Sequence, residues 1–354
     1  MSSYLSKRFL DMAVYAPGEQ PQDRSYIKLN TNESPYPPSP GVLAALNEAA
    51  VSKLNLYPDP DTREASAAIS GSFGLRPENV ILGNGSDELL AFCFQAFCDK
   101  GVPAVYADIT YGFYKVYARI NCVDSRVIPL DGAFRLVAED YFGAGGTIFI
   151  ANPNSPTGCA VSLADIEAIV RENPKNVVVI DEAYAAFGPD SAAPLIGKYG
   201  NLLVVHTMSK SKSLAGARLA YALACPALIS DLNAMKFSFN PYNVGRLSLA
   251  AAAAAIKDAE YYEGCVKKII RSREFLSSEL VKRGFFVLPS MSNFIFARPG
   301  FIGGEEYYLG LKERGILIRH FTHERIRDFV RITVGTEEQM KKLLSVTDDM
   351  RRTF

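Results

Sequence analysis

Seven short apolar runs recur along the middle of the chain, and most of them are separated by stretches with helical or loop character. Apolar runs of this length, followed by polar residues or glycine, are typical of strands that are buried on both faces. Their alternation with helices favours an α/β fold, with a large, mostly parallel sheet between two layers of helices. The seven predicted strands are Val80–Leu82, Ala104–Tyr106, Arg126–Ile128, Thr147–Ala151, Val177–Ile180, Leu202–His206 and Leu219–Ala224.

The segments before and after these strands have a different character. Residues 1–40 are rich in proline and lack a periodic pattern, which predicts an extended N-terminal arm. A helix should begin at Ser39 or Pro40, and another long helical region should run from Arg246 to Arg283 and end at Gly284. We therefore expect the arm at 1–40, on the side of the small domain, a large domain at 41–245, and a small α+β domain at 246–354. The apolar face expected for the first helix consists of Val42, Leu43, Leu46 and Ala50.

The composition argues against several classes of function. The 354 residues include 38 basic and 38 acidic side chains, and this balance favours neither nucleic-acid binding nor a membrane-surface role. The three histidines are too few and too scattered for a histidine-rich metal site, so no metal is expected. The six cysteines form no CxxC pair and the N-terminus has no signal-peptide pattern, so a cytoplasmic protein with free thiols is expected.

A lysine and an arginine follow the sixth predicted strand, in the stretch Thr207–Tyr221. Lys210 can condense with an aldehyde if burial or a neighbouring cation lowers its pKa. Arg218, together with Thr207 and Ser209, offers the hydrogen-bond donors that a phosphate dianion needs. A solvated basic loop with one structural arginine is the alternative interpretation of these residues taken alone.

Other polar clusters follow other strands, at the edge of the sheet where α/β folds place their sites. Gly83–Glu88 is a glycine turn that opens a helix, and helix N-termini bind phosphate, although a plain helix cap explains it equally well. Tyr111 could stack on a planar ring or simply pack in the core. Asn152–Gly158 is a rigid polar turn that could present donors or could be an ordinary turn.

Asp181 directly follows four buried aliphatic residues, Val177–Ile180. A carboxylate in such a place must find a partner or become neutral, because burial of an unpaired charge is costly. A protonated pyridine nitrogen would be such a partner, and pyridoxal phosphate is the cofactor that combines an acidic partner with a lysine attachment. Capping of the next helix by Asp181 is the alternative.

Taken together, these residues resemble the fold-type I pyridoxal-phosphate-dependent aminotransferases, in their class II subgroup, and most closely the histidinol-phosphate aminotransferase family. The resemblance extends over nearly the whole chain, from Tyr15–Gly18 and Leu29–Glu33 to Arg331–Gly335. It implies the fold-type I architecture, with residues 41–245 as the domain that binds pyridoxal 5'-phosphate.

The resemblance also implies roles at the cofactor. Lys210, rather than Lys212, would carry the cofactor and act as general base, Asp181 would pair with the ring nitrogen, and Tyr184 would donate to the ring oxygen. Tyr111 would stack on the ring. The phosphate would be held by the glycine turn and helix start at Gly85, Ser86 and Asp87, by Thr207, Ser209 and Arg218, and by Tyr57 of a neighbouring subunit in a homodimer.

For the substrate, the resemblance implies binding by Tyr15, Asn32, Arg319 and Arg331. One position departs from the family pattern: Ser155 stands where the turn usually has an asparagine that donates to the ring oxygen. Serine is shorter and has one donor, so its contact would be weaker or mediated by water.

The implied reaction moves the amino group of L-histidinol phosphate to a 2-oxo acid, 2-oxoglutarate, as in histidine biosynthesis. Because Arg319 and Arg331 could equally bind a carboxylate, an aromatic amino-acid aminotransferase is the first alternative. A threonine-phosphate decarboxylase is the second. A cofactor-binding regulatory module is less favoured, since the chain has no appended DNA-binding segment and keeps Lys210.

Overall fold

The computed structural model describes residues 4–6, 9 and 17–353 of the chain. Tyr15, one of the expected substrate-binding residues, lies outside these ranges. In the described part, no helix combines the length and the apolar content that crossing a bilayer requires.

Thirteen strands and eleven helices make up the described fold. The strands are β1 (Ile27–Lys28), β2 (Val80–Gly83), β3 (Ala104–Ala107), β4 (Ser125–Ile128), β5 (Thr147–Ala151), β6 (Val178–Asp181), β7 (Leu202–Thr207), β8 (Ala220–Ala224), β9 (Phe286–Val287), β10 (Phe294–Arg298), β11 (Ile316–Leu317), β12 (Arg319–His320) and β13 (Val330–Thr333). The helices are α1 (Pro40–Ala45), α2 (Glu48–Val51), α3 (Arg63–Ser72), α4 (Ser86–Phe97), α5 (Phe113–Ile120), α6 (Leu163–Arg171), α7 (Pro226–Phe239), α8 (Arg246–Lys257), α9 (Ala259–Lys282), α10 (Gly304–Glu313) and α11 (Glu337–Thr353).

The predicted seven-stranded sheet is confirmed, with the order β2-β8-β7-β6-β5-β3-β4. β7, β6, β5, β3 and β4 are parallel, whereas β8 is antiparallel to both of its neighbours. Side chains of successive residues point to opposite faces of a strand, and here both faces are covered. Val178 and Ile180 therefore pack in one core with α3, α6 and α8, while Val179 packs in another with α4, α5 and α7. Burial on both faces explains why the strands have near-continuous apolar sequences.

The helical predictions hold less well than the strands. Leu43 and Leu46 are 61% and 37% exposed, so the apolar face expected for the first helix was wrong at these positions. That helix also ends at Ala45, and a second short helix begins at Glu48. The long helical region is interrupted at Asp258, whose carboxylate accepts a hydrogen bond from the amide of Gly41, at 2.9 Å.

The C-terminal strands form a separate four-stranded antiparallel sheet in the order β12-β13-β10-β9. The N-terminal arm joins this region, because β1 pairs in parallel with β11. Leu29 of the arm is buried in the same core as Ile295, Ile332 and Leu343. The alanines Ala251, Ala252 and Ala255 of α8 instead pack in a core of the large sheet. The division of the chain into an arm and two domains stays a prediction.

Candidate active site

A cavity of about 740 Å³ opens where the carboxyl ends of β3, β5, β6 and β7 face the arm and the C-terminal sheet. The ends of these four parallel strands contribute residues to it, which is the usual position of a site in an open α/β sheet. Most residues expected from the sequence line this one cavity: Asn32, Ser86, Asp87, Tyr111, Ser155, Asp181, Tyr184, Thr207, Ser209, Lys210, Arg218, Arg319 and Arg331. Residues that are far apart in the sequence, from Asn32 in the arm to Arg331 in β13, are therefore brought together.

Asp181, the last residue of β6, is only 5% exposed. Its carboxylate accepts hydrogen bonds from the hydroxyl of Tyr114 and from the amide of Ala183, each at 3.2 Å. Burial raises the pKa of Asp181 to about 6, although both hydrogen bonds act in the opposite direction. Because no basic side chain forms an ion pair with Asp181 in the described structure, the site favours a cationic ligand atom beside this carboxylate.

Lys210 lies on the loop that follows β7, and its Nζ donates to the carbonyl oxygen of Thr31 in the arm, at 3.1 Å. Burial lowers the pKa of Lys210 to about 8, and the positive charge of Arg331 acts in the same direction. A larger fraction of this amine is therefore unprotonated near neutral pH than for an exposed lysine, which suits a nucleophile. Nζ also lies 6.0 Å from the ring centre of Tyr184.

The neighbouring Lys212 has a different environment. Its Nζ lies 4.9 Å from the ring centre of Tyr262 and is not among the atoms that line the cavity. Sequence alone separates the two lysines only through the resemblance, whereas the geometry places Lys210 in the cavity.

Tyr184 and Asn32 connect the large sheet to the arm. The side-chain amide of Asn32 donates to the Tyr184 hydroxyl at 2.9 Å, and burial raises the pKa of that hydroxyl. The backbone of Asn32 has a φ of 55°, in the left-handed region that asparagine tolerates better than most residues. Thr333 stabilises this conformation, since its hydroxyl accepts from the backbone amide of Asn32 and donates to the side-chain oxygen of Asn32, both at 3.0 Å.

A group of small and cationic residues surrounds the start of α4. Gly85 has a φ of +80°, and a Cβ there would lie 2.6 Å from the guanidinium of Arg218, so the turn requires glycine. Arg218 contacts the carboxylate of Asp87 at 3.2 Å. Thr207 and Ser209 lie together, with their hydroxyl oxygens 3.0 Å apart. A helix start, a guanidinium and hydroxyls are groups of the kind that proteins use to bind a phosphate.

Tyr111 lies beside this cradle and its hydroxyl donates to Asp87 at 2.5 Å. The ring lines the cavity and meets Tyr114 edge to face, at 5.7 Å between centroids and 86° between planes. The contact with Tyr114 thus orients the Tyr111 ring, as stacking on a planar ligand would require.

The side chain of Ser155 is hydrogen-bonded to other residues of the site. The serine hydroxyl accepts from the Arg331 guanidinium at 3.1 Å, and it also interacts with the hydroxyl of Tyr184. A second donor of Arg331 binds the carbonyl of Asn30 at 3.0 Å, and Arg319 donates to the carbonyl of Pro17 at 3.0 Å. Both arginines are therefore anchored to the arm.

Tyr57 is 76% exposed and is not among the described residues that line the cavity. Its ring stacks on Tyr242 at 4.4 Å, and its carbonyl accepts from Arg246 at 2.7 Å. The side chain is therefore exposed at the surface, outside the cavity.

Several site residues escaped the sequence analysis. Tyr114 lies three residues after Tyr111 and has no sequence signal of its own, yet its hydroxyl donates to Asp181. The carbonyls of Asn30 and Thr31 carry no sequence signal, because every residue has a carbonyl. Phe321 also lines the cavity, and nothing in its local pattern marks it.

Comparisons with known proteins agree with this geometry. Residues 24–346 match the family model described as aminotransferase class I and II. The chain is 47% identical to the histidinol-phosphate aminotransferase of Brachyspira hyodysenteriae over 96% of each chain, and 48% identical to that of Acinetobacter baylyi over 97% of this chain and 96% of that one. The crystal structure of histidinol-phosphate aminotransferase from Sinorhizobium meliloti in complex with pyridoxal-5'-phosphate superposes with a TM-score of 0.88, at 24% identity, over 100% of this chain and 99% of that one.

Proposed function

Because the chain belongs to the class I and II aminotransferases, we propose that it transfers the amino group of L-histidinol phosphate to 2-oxoglutarate. The products are imidazole-acetol phosphate and glutamate, and the reaction belongs to histidine biosynthesis. One observation carries the proposal: a single cavity contains a lysine with a lowered pKa, a buried carboxylate, a phosphate cradle and two arginines.

The cofactor of this family is pyridoxal 5'-phosphate, which when bound supplies a ring that accepts electrons from the substrate. The described residues fit it at both ends. Asp181 would accept from the protonated ring nitrogen, and this contact would replace the missing ionic partner of the buried carboxylate. Ser86, Thr207, Ser209 and Arg218 would hold the phosphate around the turn in which Gly85 leaves room for the arginine.

Lys210 would perform the proton transfer. Its Nζ would remove the proton from the α-carbon of the substrate, since a primary amine whose pKa is lowered toward neutrality is an effective general base. The carbonyl of Thr31, 3.1 Å from Nζ in this structure, would hold the amine while it is free. Tyr184, fixed by Asn32, would donate its hydroxyl proton to the ring oxygen.

Arg319 and Arg331 would bind the anionic part of each substrate. The phosphate of histidinol phosphate and the carboxylates of 2-oxoglutarate are both suited to a guanidinium, which donates two parallel hydrogen bonds. One pair of arginines can therefore serve both halves of the reaction.

A panel of amine donors tests this substrate assignment. With the cofactor-loaded protein and 2-oxoglutarate, we expect kcat/KM for histidinol phosphate to exceed that for phenylalanine or tyrosine by at least about tenfold, the value of one well-placed anion contact. Faster turnover of the aromatic amino acids would indicate an aromatic aminotransferase. Release of CO₂ from threonine phosphate would indicate the decarboxylase.

A homodimer with sites at its interface is the second part of the proposal. Tyr57 points away from its own cavity, and large apolar side chains are exposed in the segments 43–57 and 237–242, which the Tyr57–Tyr242 stack joins. Exposed apolar surface of this kind marks a protein interface. The partner's Tyr57 would then reach the cofactor phosphate.

Subunit mixing tests this arrangement. A Lys210→Ala chain mixed with a Tyr57→Ala chain forms hybrids in which one site has both residues intact. We expect the mixture to be more active than either variant alone. If Tyr57 served its own chain, mixing would restore nothing.

A cytoplasmic location is also proposed. All six cysteines lie in the described part and none forms a disulfide, as in proteins of reducing compartments. Recovery of the chain with the membrane or secreted fraction of its own cells would contradict this.

A further inference from the structure

Arg319 and Arg331 lie directly opposite each other in the antiparallel pair β12–β13. Residues at such positions project from the same face of a sheet, and like charges there destabilise the pairing. Both side chains line the cavity. Something in the structure must therefore offset the repulsion and hold both guanidinium groups toward the same space.

Phe321 is placed to do so. It lies two residues after Arg319, just beyond the end of β12. Its ring lies below both guanidinium groups, with the ring centre 5.8 Å from Cζ of Arg319 and 5.7 Å from Cζ of Arg331. The negative face of an aromatic ring attracts cations at such distances, so a single ring stabilises two like charges.

The ring itself is anchored in the protein interior. Phe321 meets Phe296 edge to face, at 6.1 Å and 72°, and Phe296 is fully buried and stacks on Phe329 at 4.8 Å. Phe294 provides a further ring for Arg331, at 5.3 Å. The platform under the two arginines is thus continuous with the packed core, although Phe321 itself lies just beyond the end of β12.

Hydrogen bonds also orient the two guanidinium groups. Arg319 is bound to the Pro17 carbonyl, and Arg331 to the Asn30 carbonyl and the Ser155 hydroxyl. Each of these three partners is a neutral oxygen atom that orients the guanidinium group donating to it.

We propose that Phe321 is a positioning residue that holds Arg319 and Arg331 as one anion-binding pair, and thereby sets the preference for substrates with a phosphate or a distal carboxylate. This inference rests on the proposed function, because it assigns the anion of that function's substrates to the pair. Phe321 takes no part in bond making. Its effect reaches the substrate through the arginines.

Two variants at one position test the proposal. Phe321→Leu keeps an apolar side chain but removes the ring, and Phe321→Tyr keeps the ring. For Phe321→Leu we expect KM to rise about tenfold for histidinol phosphate and for 2-oxoglutarate, with kcat nearly unchanged, because cation–π attraction to two guanidinium groups is lost. Phe321→Tyr should stay within about twofold of the wild type.

The matched substrate is histidinol, which lacks the phosphate. Its kcat/KM should differ by less than about twofold between the wild type and Phe321→Leu. An equal loss for histidinol and histidinol phosphate would mean that the ring only supports the fold, and would overturn the proposal. The same conclusion would follow if Phe321→Tyr were as impaired as Phe321→Leu.

Calorimetric titration of the cofactor-loaded protein with inorganic phosphate separates this inference from the substrate assignment. Phosphate should bind about tenfold more weakly to Phe321→Leu than to the wild type, whatever amine the enzyme uses. If the wild type did not turn over histidinol phosphate, the proposed function would be refuted, but the difference in phosphate affinity between the two proteins would remain. Equal phosphate affinity in both proteins would refute the role of Phe321.

Discussion

The cofactor end and the substrate end of the cavity treat charged side chains in different ways. At the cofactor end, Asp181 is buried and Lys210 is partly buried, and burial brings their pKa values to about 6 and about 8, closer to each other and to neutrality. At the substrate end, Arg319 and Arg331 keep their charges side by side over the ring of Phe321. Burial thus prepares groups for proton transfer at one end, whereas concentrated positive charge selects ligands at the other.

The two ends also differ in their origin along the chain. The cofactor end consists mainly of residues that follow consecutive strands of one sheet, so the topology alone brings them together. The substrate end combines the arm with β12 and β13, which are about 300 residues apart in sequence. Changes at the cofactor end should therefore affect every substrate alike, and changes at the substrate end should discriminate among them.

Replacement of Lys210 should have the largest effect. Lys210→Ala should lower kcat at least about 10³-fold with every amine donor, because the general base is lost along with the point of attachment. Lys212→Ala is the matched control, since Lys212 contacts Tyr262 away from the cavity, and it should keep most of its activity. Borohydride reduction and peptide mapping of the holoenzyme should find the cofactor on Lys210. Label on Lys212 would contradict the assignment.

Replacement of Asp181 should have the next largest effect. Asp181→Asn removes the anionic partner of the ring nitrogen, and we expect kcat to fall roughly 10²- to 10³-fold, as when one member of a buried ion pair is lost. The ratio of kcat/KM for histidinol phosphate to that for phenylalanine should remain unchanged. Asp231→Asn, on the exposed surface of α7, serves as the control. A change in that ratio would mean that the two ends are not separable.

The smallest expected effect is a change in the pKa of Lys210 when the charge at the substrate end is removed. Attachment of the cofactor needs the unprotonated amine of Lys210, so its rate in the cofactor-free protein should rise with pH and level off above about 8. The positive charge of Arg331 lowers this pKa, so Arg331→Gln should move the midpoint upward. We expect attachment at pH 7 to slow on the order of threefold, measured by stopped-flow absorbance. An unchanged midpoint would show that Lys210 does not sense the substrate end.

The sequence predicts the sheet well because burial on both faces leaves a strong signal. Val177–Ile180 is uniformly apolar, and the polar residue that ends it, Asp181, then stands out as a candidate site residue. Lys210 and Arg218 follow in the same way from the strand before them, and the structure places both in the cavity. The resemblance to known aminotransferases added the identity of the cofactor.

What the sequence could not give depends on contacts between distant residues. The exposure of Leu43 and Leu46 contradicts a helical apolar pattern, and an interface with another chain would account for it. The interruption at Asp258 depends on the amide of Gly41, which lies 217 residues away. Phe321 acquires its position only when β12 pairs with β13, and no local pattern records that pairing.

The arm has a consequence for how the protein is made. β1 pairs with β11, and Asn32 is held by Thr333, so the arm binds partners that are synthesised about 300 residues later. Domains fold in order as the chain emerges from the ribosome, so the large sheet can form while the arm still has nothing to bind. The cavity can be completed only after β13 has been translated. A chain that stopped before β13 would contain Lys210 and Asp181 but would lack Arg331, so we expect it to bind the substrate anion poorly.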